Sequence, residues 1–197
     1  DEKGYIFSGS AVVDVNNTSG FGKDGGLPII AMFTYHDMDG EKAGKTNYQS
    51  QAIAYSLDEG QTFTKYSENP VIKNPGIKDF RDPKIVWDSI HEKWVMVLAA
   101  GQKIMFYSSS NLKDWKLESD FGDGIGAHGG VWECPDLFPM KVQGTEEIKW
   151  VLFVSINPGG PNGGSATQYF VGDFDGKAFK IAPSFENDLN NSEHKSI

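Results

Sequence analysis

Tyr55-Ser56-Leu57-Asp58-Glu59-Gly60-Gln61-Thr62-Phe63 joins the end of an apolar run to an acidic turn and then to a new aromatic residue. The step returns as Tyr107-Ser108-Ser109-Ser110-Asn111-Leu112-Lys113-Asp114-Trp115 and as Tyr169-Phe170-Val171-Gly172-Asp173-Phe174-Asp175-Gly176-Lys177-Ala178-Phe179. The leading tyrosines stand 52 and then 62 residues apart. Recurrence at such a spacing marks a repeat architecture, in which each unit buries its faces against its neighbours.

Around each copy lies a similar series of short runs, at residues 6–14, 28–35, 51–57 and 62–66, then 81–87, 93–99, 103–108 and 115–118, then 131–140, 149–156, 168–174 and 178–181. They are rich in Val, Ile, Phe, Tyr and Trp and are bounded by Gly, Asn, Asp and Pro, which predicts strands joined by tight turns. Almost nothing reads as a helix. Three repeats of four strands predict an all-β chain of four-stranded antiparallel blades, part of a β-propeller domain over residues 1–197. The blade-like units cover residues 5–67, 79–121 and 130–182, and the polar tail 183–197 leads toward a further blade. A twelve-strand β-sandwich is the competing reading, but a sandwich needs no repeated four-run unit. Because a propeller needs at least about four blades to close, three imply further sequence or assembly between chains. The strand-like run close behind Asp1 likewise suggests a chain that begins inside a folded unit.

Composition narrows the function. The 197 residues are 39% hydrophobic and 23% charged, the balance of a folded domain. Lys and Arg total 18 against 27 Asp and Glu, a net charge of -9, and the basic residues form no cluster able to track a phosphate backbone. Nucleic acid and membrane insertion are therefore not expected. Cys134 is the only cysteine, so no internal disulfide and no Cys-rich zinc site can form. No metal or cofactor is expected.

In a propeller the first strand of each blade lines the central channel, so the residues opening each unit can converge on one point. These openings are Phe7-Ser8-Gly9-Ser10, Phe80-Arg81-Asp82-Pro83 and Trp132-Glu133-Cys134-Pro135-Asp136. They would bring carboxylates, an arginine, hydroxyls and aromatic rings to a common funnel, a set suited to hydrolysis of a glycosidic bond. That chemistry needs a carboxyl that protonates the leaving oxygen and a carboxylate that meets positive charge at the anomeric carbon. Glu133, flanked by Trp132 and Cys134, is expected in apolar company that favours a protonated acid, and Asp82 beside Arg81 is expected to stay ionised. An Arg-Asp pair is by itself more often structural; the coincidence at equivalent blade positions singles these residues out.

The same residues resemble glycoside hydrolase family 32, the invertases, inulinases and levanases. The matching motifs are Phe7-Ser8-Gly9-Ser10-Ala11-Val12-Val13, Phe80-Arg81-Asp82-Pro83-Lys84 and Trp132-Glu133-Cys134-Pro135-Asp136-Leu137. Asn157-Pro158-Gly159-Gly160 and Gln168-Tyr169-Phe170-Val171-Gly172-Asp173-Phe174 support them. The resemblance implies a five-bladed propeller, usually followed by a β-sandwich, that cleaves fructosyl linkages in sucrose, inulin or levan with retention. It implies Glu133 as acid/base, Asp82 as transition-state stabiliser, and Arg81, Phe7, Ser8 and Trp132 as substrate contacts. It also implies a secreted, periplasmic or surface location. The family's nucleophile is the aspartate of an Asn-Asp-Pro-Asn-Gly motif, which this sequence lacks. The three units would then be the second to fourth blades, and the chain alone is expected to be inactive. A propeller that binds glycans without cleaving them is the alternative, and hydrolysis of another sugar by a related five-bladed propeller is a third.

Other features read as structural. Ser56 to Phe63 resembles the Asp-box hairpin turn of sialidases, and the Gly-rich stretch 158–164 lacks the Lys-Ser/Thr and helix of a phosphate cradle. His36, His91, His128 and His194 have no metal-ligand spacing and are expected on surfaces or loops. Cys134 is expected to be a small buried residue. The triplets beginning at Asn16, Asn17 and Asn190 fit the glycosylation pattern. Unpaired blade edges predict dimerisation or aggregation of the isolated chain.

Overall fold

The computed structural model describes residues 3–185, and among these the chain folds into three antiparallel sheets of four strands, each in the order of its sequence. The first sheet holds β1 (Tyr5–Val13), β2 (Ile29–His36), β3 (Gln49–Ser56) and β4 (Thr64–Lys65), with a five-residue helix α1 (Met38–Lys42) between β2 and β3. The second holds β5 (Phe80–Asp88), β6 (Lys93–Ala100), β7 (Ile104–Ser109) and β8 (Lys116–Phe121). The third holds β9 (Val131–Lys141), β10 (Ile148–Asn157), β11 (Ala166–Phe174) and β12 (Phe179–Ile181). Strand β1 packs beside β5, and β5 beside β9, so the opening strands meet along one line, as in blades around a propeller axis. The tail 186–197, with His194 and the Asn190 triplet, lies outside the described residues.

The apolar sequence of β6 shows why the sheets stack. Trp94, Met96, Leu98 and Ala100 enter a core shared with Ile30, Met32 and Ile53 of the first blade. Val95, Val97 and Ala99 alternate with them and enter a second core with Leu152, Val154 and Phe170 of the third. A strand covered on both faces carries a continuous apolar run instead of an alternating one. Each fully buried side chain of this size contributes about 1.5–3 kcal/mol.

The recurring acidic turns are hairpin clamps. Asp58 Oδ1 accepts from Ser56 Oγ and from the Thr62 amide, and its Oδ2 accepts from Thr62 Oγ1. These contacts draw Thr62 into the turn, which is why β4 keeps only two of the residues expected to pair. Asn111 and Asp175 repeat the device in the other two blades, accepting from the amides of Lys113 and Asp114 and of Lys177 and Ala178. Bound by three or more local donors, the Asp58 carboxyl is held down at about 2.

Candidate active site

Each opening strand breaks its ladder at the same place. The register of β1 against β2 shifts between Phe7 and Gly9, that of β5 against β6 between Arg81 and Lys84, and that of β10 against β9 between Phe153 and Ser155, opposite Asp136 and Glu133. Each shift adds one residue: Ser8 in the first blade, and in the others the Asp82-Pro83 pair set against Leu98 alone and the Cys134-Pro135 pair set against Val154 alone. Proline suits such a position because it has no amide to offer the ladder. Asp82 and Cys134 have left-handed backbones, with φ of 64° and 45°. Non-glycine residues hold this conformation at a cost of about 1–3 kcal/mol, and it re-aims the side chains on either side.

Strand alternation then sorts the residues. Phe80 and Trp132 turn inward and are fully buried, each 0% exposed. Arg81 and Glu133, one residue later, turn toward a cleft of about 460 Å³ between the blades. Phe7, Ser8, His36, Met38, Glu41 and Gln49 line it from the first blade, Asp79, Arg81 and Asp82 from the second, and Glu133, Cys134 and Ser155 from the third.

Two expectations are corrected here. Trp132 does not face the cleft. Its ring stacks on His128, its Nε1 donates to the Ala127 carbonyl at 2.8 Å, and a Cβ on Gly122 would stand 2.6 Å from it. It is a packing residue because its neighbour Glu133 occupies the cleft side of the strand. By the same geometry, Glu133 does not sit against Trp132, and its partner is a guanidinium.

Arg81 ties the site together. Its Nη2 donates to Glu133 Oε1 at 2.8 Å and its Nη1 to Asp79 Oδ1 at 2.7 Å, while Nε lies 4.0 Å from Asp82 Oδ2. Burial opposes its charge, but the hydrogen bonds to Glu133 and Asp79 outweigh that and set its pKa above the ordinary value. Asp82, 7% exposed, accepts the Cys134 amide on Oδ2 at 3.0 Å, so one strained turn orients the carboxylate of the other. Its own amide donates to Thr34 Oγ1, which donates to Gln51 Oε1. Ser10 Oγ joins the same two blades by donating to the Pro83 carbonyl and accepting from the Ile85 amide, and Lys84 pairs with Asp136 at 2.9 Å.

Cys134 departs from its expectation, since it is exposed on the cleft. Partial desolvation, followed by the Asp82 and Glu133 carboxylates, pushes its thiol up to about 11. His36 also departs, being buried at the cleft wall between Gln49 and Glu41, with the Phe7 ring stacked on it at 4.1 Å and 12°. Stacking fixes Phe7 as one flat apolar wall beside Ser8. His91 pairs with Asp88 on a partly exposed surface, away from the cleft. No cluster of metal-ligating side chains occurs among the described residues.

The family model for the glycosyl hydrolases family 32 N-terminal domain matches residues 1–194. The chain belongs to glycosyl hydrolase family 32. Among its family 32 relatives, the levanase of Bacillus subtilis is 58% identical over 181 residues, 91% of this chain and 26% of the levanase. The extracellular exo-inulinase inuE of Aspergillus niger is 52% identical over 189 residues, 88% of this chain and 35% of the inulinase. Among solved structures, the exo-inulinase of Aspergillus awamori superposes with a TM-score of 0.80 at 46% identity, covering 91% of this chain and 38% of the inulinase. The β-fructofuranosidase of Schwanniomyces occidentalis complexed with fructosyl-erythritol gives 0.81 at 46% identity, covering 91% and 34%. The chain thus spans about a quarter to a third of the length of the curated relatives it matches. The family 32 propeller accounts for the three stacked sheets.

Sequence reading missed His36, Gln49, Asp79 and Thr34 as contributors to the site. Asp79 had a usable signal, since it is a carboxylate two residues before Arg81. Gln49 and Gln51, polar positions in a run that is otherwise buried, carried another.

Proposed function

We propose that the protein is a glycoside hydrolase that cleaves fructosyl linkages in sucrose or fructans with retention of configuration. The observation that carries this reading is the placement of Asp82 on the bulge of one blade and of Glu133 immediately before the matching bulge of the next, with Arg81 bonded to Glu133. Glu133 protonates the leaving oxygen and later takes a proton from the attacking water, as a retaining acid/base does. Asp82, held by the Cys134 amide, binds sugar hydroxyls and meets the charge developing at the anomeric carbon. Three carboxylates around one guanidinium leave the cleft net negative, which favours an oxocarbenium-like transition state. Arg81 and Ser8 offer polar contacts and Phe7 an apolar one, a mixture that suits a sugar's two faces.

A retaining double displacement also needs a carboxylate nucleophile, and residues 1–197 contain no Asn-Asp-Pro-Asn-Gly segment. We assign that role to a residue outside this stretch, take the three sheets as the second to fourth of five blades, and place the enzyme outside the cytoplasm. The 197 residues alone then release no fructose. The test is fructose release from sucrose, inulin and levan by the full-length protein, with the anomeric configuration of the first product read by proton NMR. Glu133→Gln is expected to lower kcat by about 10²- to 10⁴-fold. Retained activity in that variant, or an inverted first product, would refute the mechanism; binding of fructans without cleavage would identify a glycan-binding propeller.

A further inference from the structure

We propose that Asp79 is a positioning residue that sets the orientation of Arg81 against Glu133. The inference rests on the reading of Glu133 as acid/base and adds a residue outside the three shared motifs. Asp79 Oδ1 accepts from Arg81 Nη1 at 2.7 Å and from the Tyr48 hydroxyl at 3.3 Å. Its carbonyl accepts from the Gly101 amide at 2.9 Å, and its backbone is left-handed, with φ of 57°. A non-glycine residue kept in that conformation and bound at both ends is overdetermined by its surroundings. Tyr48 is buried, and desolvation, reinforced by the Asp79 charge, raises its pKa, so it remains a hydroxyl donor.

The guanidinium is planar, so fixing one edge fixes the other. With Nη1 on Asp79, Nη2 is carried to Glu133, and three blades converge on one acid: Tyr48 from the first, Asp79 and Arg81 from the second, Glu133 from the third. Asp79 also shares the positive charge that Arg81 turns toward Glu133. The other charged or titratable groups around Glu133 are Asp82 from β5, Cys134 from β9, and His36 and Glu41 across the cleft. Replacing Asp79 by alanine removes the acceptor that fixes the Nη1 edge, so Nη2 is no longer held at Glu133 Oε1 and the carboxyl loses the partner that positions it.

The experiment measures kcat and KM of the full-length protein and of Asp79→Asn, Asp79→Ala, Tyr48→Phe and Glu133→Gln, each checked for folding by circular dichroism. Asp79→Ala is expected to lose up to about 100-fold in kcat, the scale of a small misplacement at a reacting centre, with a smaller change in KM. Asp79→Asn, which keeps the hydrogen-bond acceptor, is expected to recover most of that loss. Tyr48→Phe is expected to shift kcat in the same direction as Asp79→Ala and by less. An unmoved kcat in Asp79→Ala, or a loss that falls on KM and not on kcat, with Glu133→Gln inactive, would overturn this inference alone; an active Glu133→Gln would overturn the acid/base reading and this inference with it. If Asp79→Ala does not fold, the kcat of Tyr48→Phe decides the matter, and an unchanged value overturns the inference.

Discussion

The backbone amide of Asp82 donates to the hydroxyl of Thr34 at 3.1 Å, so the strained turn of one blade is fastened to the second strand of its neighbour. Thr34 is fully buried and hands its own proton on to Gln51 Oε1 at 2.7 Å, while Gln51 Nε2 donates to the Phe80 carbonyl at 2.8 Å. Gln49 Oε1 accepts the Phe80 amide at 2.7 Å. Two glutamines and a threonine of the first blade thus hold the backbone of β5 at Phe80 and at Asp82.

Thr34→Val is expected to destabilise the chain, because it removes the partner of a buried amide and of a buried carbonyl oxygen. A buried polar group left unpaired costs about 1–3 kcal/mol. Urea denaturation measures the loss, and Thr34→Ser, which keeps the hydroxyl, should recover most of it.

Trp132→Ala is expected to cost about 3–5 kcal/mol, the range for deleting a large buried aromatic. Trp132→Phe should lower the denaturation midpoint while leaving the KM of the full-length protein unchanged. A changed KM with unchanged stability would instead make Trp132 a substrate contact.

Cys134 is open to the cleft but should alkylate slowly. With its thiol at about 11, roughly a thousandth of it is thiolate at pH 8. The iodoacetamide rate should climb tenfold per pH unit and level off only near that value. Asp82→Asn removes a carboxylate that holds the proton on sulfur, so it should shift the curve to lower pH and raise the rate at pH 8.

The 197-residue chain on its own is expected to self-associate. Tyr5, Ile6 and Val13 of β1 are exposed at one end of the stack, and Met140, Ile148 and Tyr169 of the third blade at the other. Apolar surface and blade edges of this kind seek partners. Sedimentation velocity should show a concentration-dependent shift; a monomer at every concentration would rule the association out.

The four-run units, their turns and their order were legible because they rest on local rules. Asp58, Asn111 and Asp175 each close a hairpin with neighbours a few residues away, and the apolar run of β6 declares a strand covered on both faces. Phe80 and Trp132 could also have been sorted from Arg81 and Glu133, since alternate residues of a strand take opposite faces. Reading Trp132 as a substrate contact took the motif as a block and ignored that period of two.

Residues 1–197 by themselves determined the repeat, the all-β architecture and the family, and singled out Asp82 and Glu133 as candidate carboxylates. Only the tertiary structure decided that Arg81 joins Asp79 to Glu133, a contact across 52 residues, that Thr34 fastens Asp82 from another blade, and that Cys134 opens on the cleft. A bulge exists only by comparison with the strand beside it, and a side chain's partner across a blade interface depends on how two sheets stack. Neither is a property of a local stretch of chain, so neither could be read before the blades were brought together.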